Sequence, residues 1–131
     1  MATTYDPELV NLIVDGFVVT GFADGTFINA ERNEDLRELE VGAKGEVIVV
    51  ENADDTGMFS FTLQPTSPAN SVLRQLAKSG ESFATSVVDD NDNSANSFAS
   101  ECYVASFPSN DKADSPEDRE WEVLAVDYEE N

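Results

Sequence analysis

Oxygen-bearing side chains are concentrated in one short segment of the chain. Residues 89–94 read Asp-Asp-Asn-Asp-Asn-Ser, and Glu101 stands at the twelfth position counted from Asp90. This spacing is typical of the ligands in a calcium-binding EF-hand loop. However, Ala95 stands where such a loop needs its turn glycine, and the flanking segments have the composition of strands. We therefore interpret the segment as an acidic hairpin turn and predict no metal site.

Groups suited to acid–base or nucleophilic catalysis are scarce. The chain has no histidine and no glycine-rich phosphate loop followed by a lysine. Two carboxylates could serve a glycosidase, but 27 Asp and Glu residues leave no pair distinguished by its spacing. Cys102 is the single cysteine, which excludes an intrachain disulfide and a cysteine zinc site. We expect no enzyme and no cofactor, and we expect Cys102 to pack within a strand.

The net charge restricts the possible partners. Seven Lys and Arg against 27 Asp and Glu give a formal charge of −20 on 131 residues. A protein that grips DNA needs clustered cations, so ordinary DNA binding is excluded, whereas a surface that repels or imitates DNA stays possible. Since 40% of the residues are hydrophobic, we expect a single folded domain over residues 1–131 rather than a disordered acidic chain.

The elements that position these residues are mostly strands. Strands are predicted at residues 9–14, 17–22, 26–32, 46–51, 59–63, 83–88, 98–107 and 120–126. The steps Asp15-Gly16 and Asp24-Gly25 predict tight hairpins between the first three. Trp121 falls in an alternating strand, so a core position is favoured over a ligand platform.

One short amphipathic helix is predicted at about residues 67–79. Ser67 is suited to the N-cap, Pro68 to the first helical position, and Gly80 to the C-terminal end. Its apolar stripe comprises Val72, Leu73, Leu76 and Ala77. A single such helix in a β-rich chain covers one face or edge of a sheet. The fold class predicted is therefore mainly β, an antiparallel sandwich or partly closed barrel with one helix.

Two predicted strands carry apolar residues toward both faces, at 12–14 and 47–50. Antiparallel sheets commonly expose one face to water, so each of these runs needs a second cover. That cover is either another part of the chain or another subunit, and the pattern alone leaves both open.

Several blocks of sequence, taken in order, resemble those of bacteriophage tail tube proteins. They are residues 22–35, 42–47, 63–70, 101–104 and 119–123. The resemblance implies a structural virion protein of a long, contractile tail, assembled in the host cytoplasm, with a β-sandwich-like fold and one helix. It further implies hexameric rings stacked into a hollow tube through which the genome travels, without membrane insertion. Partners implied are other copies of the chain, the tail sheath, the tape measure, and baseplate or terminator proteins.

The resemblance also suggests roles for particular residues. We expect an acidic lumen that does not retain DNA, with Glu31, Glu46, Ser60 and Thr62 as candidates to line it. We further expect a long loop between strands at about residues 33–44, reaching the adjacent ring through Glu34, Leu36, Leu39 and Val41. The alternative for this segment is a mobile surface loop.

Two other functions stay open at this stage. A free-standing acidic protein that imitates DNA and inhibits a basic partner would have the same charge. A secreted ring protein of a bacterial injection machine would have the same fold. Self-association without a partner distinguishes a ring or tube from the inhibitor.

Overall fold

The computed structural model describes residues 4–25, 28–108 and 117–131. A single turn of 3₁₀-helix at Pro7–Leu9 precedes the first strand. The strands are β1 (Val10–Val14), β2 (Phe17–Val18), β3 (Ile28–Arg32), β4 (Arg37–Val41), β5 (Val47–Glu51), β6 (Gly57–Leu63), β7 (Phe83–Asp89), β8 (Ser97–Val104), β9 (Arg119–Ala125) and β10 (Glu129–Glu130). The helix α1 spans Ala69–Ser79 between β6 and β7. The predicted fold class, mainly β with antiparallel strands and a single helix, is confirmed for the described residues.

Most of the strands form one antiparallel sheet in the order β2-β1-β7-β8-β9-β6-β3, with β10 paired to β8. Side chains from β1 near one edge and from β6 near the other belong to a single core cluster, so the sheet curves around that core. Within the described residues the strand path does not close into a barrel. The fully buried side chains include Leu12, Val14, Phe59, Leu63, Cys102, Trp121 and Val123.

The helix begins at Ala69, one residue after the first helical position predicted at Pro68. Pro68 occupies the N-cap rather than the first helical position. Ser67 still supports the start, since its Oγ accepts a hydrogen bond from the Ala69 N–H at 3.3 Å. Gly80 ends the helix as predicted, because its φ of 69° suits a residue without a side chain. Of the stripe, Leu73 is buried, Leu76 is partly buried against the core, and Val72 is partly buried.

One of the two predicted hairpins is confirmed and the other is wrong. Asp15-Gly16 joins β1 to β2, and both of its residues have positive φ. At Asp24-Gly25 the chain does not reverse onto itself. Phe22 before the turn pairs with Leu63, and Ile28 after it pairs with Phe61. Both segments therefore lie along β6, whose longer pairing surface outweighs the local turn signal.

The predicted loop at 33–44 is wrong over its central part, because Arg37–Val41 is strand β4. It pairs antiparallel with β5, and residues 42–46 form the connecting turn. Leu39 and Val41 alternate with glutamates, which is the period of a strand rather than a loop. All five residues of β5 are exposed, so within the described residues β5 is not a covered central strand.

Candidate functional site

The β4–β5 hairpin presents an aliphatic surface to solvent. The register places Leu39 opposite Val49 and Val41 opposite Val47, so all four side chains lie on one face. Their exposed fractions are 67% for Leu39, 70% for Val41, 58% for Val47 and 56% for Val49. We call these four residues the apolar face. The opposite face carries Glu38, Glu40, Ile48 and Val50.

Little within the hairpin itself stabilises it. Arg37 Nε donates to Glu51 Oε1 at 2.9 Å, but both side chains are more than half exposed, and such surface pairs contribute about 0–1 kcal/mol. An isolated two-stranded ribbon is marginal in water. The hairpin therefore depends on its attachment to the sheet, or on a partner, to keep its shape.

The attachment lies between β3 and β6, which pair directly at Arg32 and Gly57. The chain leaves the sheet after Arg32, forms the hairpin, and re-enters at Gly57. Residues 33–36 and 52–56 connect the hairpin to these strands, and we call the two connections the root. The Asn52 N–H donates to the Leu36 carbonyl at 3.0 Å, and the Asn33 N–H donates to the Thr56 carbonyl at 3.0 Å. The two connections are therefore bonded to each other.

The second connection is further fixed by turns and by the C-terminal segment. Hydrogen bonds from the hydroxyl and the N–H of Thr56 lower the pKa of Asp54. The Tyr128 N–H donates to the Asp55 carbonyl at 2.9 Å. Tyr128 also packs closely on Gly57, where an added Cβ would lie 2.5 Å from the ring atom Cγ. The root is thus anchored on the core through Tyr128.

An acidic and polar surface covers the outer side of β3, β6 and β9. Ser60 pairs with Asn29 on one side and with Glu122 on the other, while Thr62 pairs with Glu120. Residues paired in this way point to the same face of a sheet. Glu31 lies on the same face, opposite Met58, which pairs in turn with Leu124. The structure therefore places three of the predicted lumen candidates, Glu31, Ser60 and Thr62, on one face. We call Asn29, Glu31, Ser60, Thr62, Glu120 and Glu122 the acidic face.

The structure does not bring the fourth lumen candidate onto this face, and it adds residues that the sequence analysis did not propose. Glu46 lies at the turn of the hairpin, away from the acidic face. Glu120 and Glu122 were not proposed, although the inward alternation of Trp121 and Val123 places them outward. That alternation was the signal that could have found them.

The acidic turn between β7 and β8 is held by its own side chains. Asn91 donates through its backbone and side-chain N–H groups to Asp89, which lowers the pKa of that carboxyl. Glu101 lies on β8 and accepts a hydrogen bond from the Tyr103 hydroxyl at 2.8 Å. Among residues 4–25, 28–108 and 117–131, no group of three acidic or cysteine side chains could hold a metal ion. Burial raises the pKa of the Cys102 thiol, which suits a packed residue.

Comparison with known proteins gives a family match. The family model described as Bacteriophage PhiTE tail tube protein matches residues 15–131. A search of curated protein sequences found no match. No helix in the described part of the chain is long and apolar enough to cross a membrane.

Solved structures share the fold at low sequence identity. A chain of the PVC sheath-tube complex of an extracellular contractile injection system, in the extended state, aligns with a TM-score of 0.67 at 12% identity, over 98% of this chain and 91% of that one. A chain of the PVC sheath/tube terminator, also in the extended state, aligns with a TM-score of 0.66 at 10% identity, over 99% of this chain and 98% of that one. A chain of the anti-feeding prophage tube-terminating cap aligns with a TM-score of 0.64 at 8% identity, over 100% of this chain and 93% of that one. Since the family model covers nearly the whole chain, this protein belongs to the Bacteriophage PhiTE tail tube family and is a structural, non-enzymatic component of a phage tail.

Proposed function

We propose that copies of this chain form hexameric rings that stack into the inner tube of a contractile phage tail, through which DNA is delivered. The observation that carries the proposal is the apolar face of the hairpin. Burial of such a surface is the main driving force of protein association. The described residues of the chain leave this face exposed, so a second copy is the partner that would cover it.

Stacking through the hairpin agrees with how tubes are built. A surface that meets a different surface on the next copy generates a ring when the rotation closes, and a repeated ring along an axis generates a filament. The hairpin projects beyond the main sheet, so it can reach a neighbour without disturbing the core. Leu36, in the root, is also exposed, at 58%.

The acidic face supports the role of tube lining. It carries three carboxylates, Glu31, Glu120 and Glu122, beside polar residues and beside Met58 and Leu124, which lie on the same face opposite Glu31. DNA is retained on proteins by cations that neutralise phosphates, and this face offers none. Because screening limits electrostatic repulsion to about 8 Å at physiological salt, only carboxylates directed into the lumen would keep DNA from adhering.

The chain's charge also makes assembly dependent on salt. Copies with a net charge of −20 repel one another, and salt screens that repulsion. We expect monomers at low ionic strength and rings or tubes as salt rises. The sheath, tape measure, and baseplate or terminator proteins are the further partners of such a tube.

Negative-stain electron microscopy with light scattering across a salt series tests the proposal. Hollow tubes support it. Single rings that never stack would replace it with a terminator role, which the fold shared with terminator and cap structures also fits. Small monodisperse particles at every salt concentration would contradict it, and would favour the acidic inhibitor.

A further inference from the structure

One side chain bridges the two connections at the root of the hairpin. Arg32, the last residue of β3, donates from Nε to the Glu34 carbonyl at 3.0 Å. From its terminal nitrogens it donates to the Asp55 carboxylate at 2.9 Å, to the Asp54 carbonyl at 2.5 Å and to the Asn52 carbonyl at 3.4 Å. One guanidinium therefore contacts both connections of the root.

Few other contacts in the described structure join the two connections of the root. The two connections are otherwise joined mainly by the backbone hydrogen bonds at Asn33 and Asn52 and by one side-chain bond from Asn33 to Thr56. The Arg32 side chain is only 16% exposed, so its hydrogen bonds are partly sheltered from water. Asp55, which it pairs with, is itself bonded to the anchored Tyr128. The contacts thus run from the hairpin through Arg32 to the core.

We propose that Arg32 is a positioning residue that fixes the angle of the hairpin and so aligns its apolar face with the neighbouring copy. The role in alignment rests on the proposed function, whereas the control of the angle is a property of the monomer. A planar guanidinium suits this role because its donors form a rigid fork. A lysine supplies a point charge with flexible donors and cannot contact three carbonyls and a carboxylate in a fixed plane.

The monomer is tested first, at low salt, by residue-resolved amide hydrogen exchange of Arg32→Met and Arg32→Lys. The informative amides are those of Asn33 and Asn52, whose hydrogen bonds hold the root together. We expect Arg32→Met to raise their exchange rates about tenfold or more, and Arg32→Lys to give an intermediate rise. Amides in β7 should exchange as in the wild type, since β7 pairs with β1 and β8 and not with β3 or β6, which carry the root.

Arg37→Met is the matched control, because Arg37 lies on the same hairpin and both it and its partner Glu51 are exposed. It should leave the exchange rates at Asn33 and Asn52 unchanged. If the amides of Asn33 and Asn52 exchange in Arg32→Met at the same rate as in the wild type, the proposal is overturned. An equal rise in the β7 amides would overturn it too, because Arg32 would then contribute to general stability rather than to the hairpin's orientation.

Assembly is measured second. In Arg32→Met we expect the critical concentration for tubes to rise about tenfold, equivalent to about 1.4 kcal/mol, with partial rescue in Arg32→Lys. An unchanged critical concentration would overturn the role in alignment. If the wild type forms no assembly, the proposed function fails, while the monomer exchange still decides whether Arg32 fixes the hairpin.

Discussion

Replacing residues of the apolar face should block stacking while leaving the monomer folded. The perturbation is the double substitution Leu39→Ser with Val49→Ser, two side chains that face each other across the hairpin. Both are more than half exposed in the single chain. Substitution of such surface residues changes the free energy of unfolding by about 0.5 kcal/mol or less. Thermal unfolding of the variant should therefore stay close to that of the wild type.

The expected loss on assembly follows from the area that a neighbour would cover. Complete burial of a leucine or valine side chain is worth about 1.5–3 kcal/mol. With 67% of Leu39 and 56% of Val49 available for burial, the pair contributes about 2–4 kcal/mol to each contact, or about 20- to 500-fold in its equilibrium constant. The critical concentration for tubes should rise by a similar factor.

The assay is sedimentation with light scattering at a salt concentration where the wild type assembles. Val18→Ser is the control, because Val18 is 50% exposed and lies on β2, outside the hairpin. It should assemble at nearly the wild-type concentration. Normal assembly of the double variant would refute the assignment of the apolar face as the stacking surface.

Two further predictions concern the anchor of the root. Gly57→Ala would place Cβ 2.5 Å from Tyr128 Cγ and 2.8 Å from the Glu31 carbonyl oxygen. The free energy of unfolding, measured in urea, should therefore fall by about 1–3 kcal/mol. An unchanged urea midpoint would refute the close contact. Burial, with a hydrogen bond to Glu130, raises the pKa of Tyr128 to about 12. Because the folded state favours the neutral phenol, Tyr128 contributes stability that is present below about pH 10 and is lost as the pH rises toward 12. Between pH 8 and pH 11 the midpoint temperature of thermal unfolding should fall less in Tyr128→Phe than in the wild type. An equal fall in both proteins would contradict this role of Tyr128.

The sequence predicted the elements whose side chains alternate between core and water. The sequence predicts the strand at residues 59–63 and a core position for Trp121, because burial on one face imposes a period of two. The helix end at Gly80 was predicted because few residues adopt positive φ without strain. These features depend on local chemistry.

The features that sequence reasoning missed depend on long-range pairing or on contacts to the backbone. The strand at Arg37–Val41 was assigned to a loop because its alternation has no buried side to mark it. The turn at Asp24-Gly25 was misread because the partner of both flanking segments, β6, lies more than thirty residues away. The role of Arg32 had no sequence signal, since most of its partners are carbonyl oxygens that every residue carries.

A cryo-electron microscopy reconstruction of the assembled protein would show whether copies stack through the hairpin. We expect a hollow tube in which the apolar face, Leu39, Val41, Val47 and Val49, is buried against the next ring. We also expect Glu31, Glu120 and Glu122 to line the lumen. A tube in which the hairpins project freely into solvent, or in which the acidic face lies on the outer wall, would contradict the proposed function.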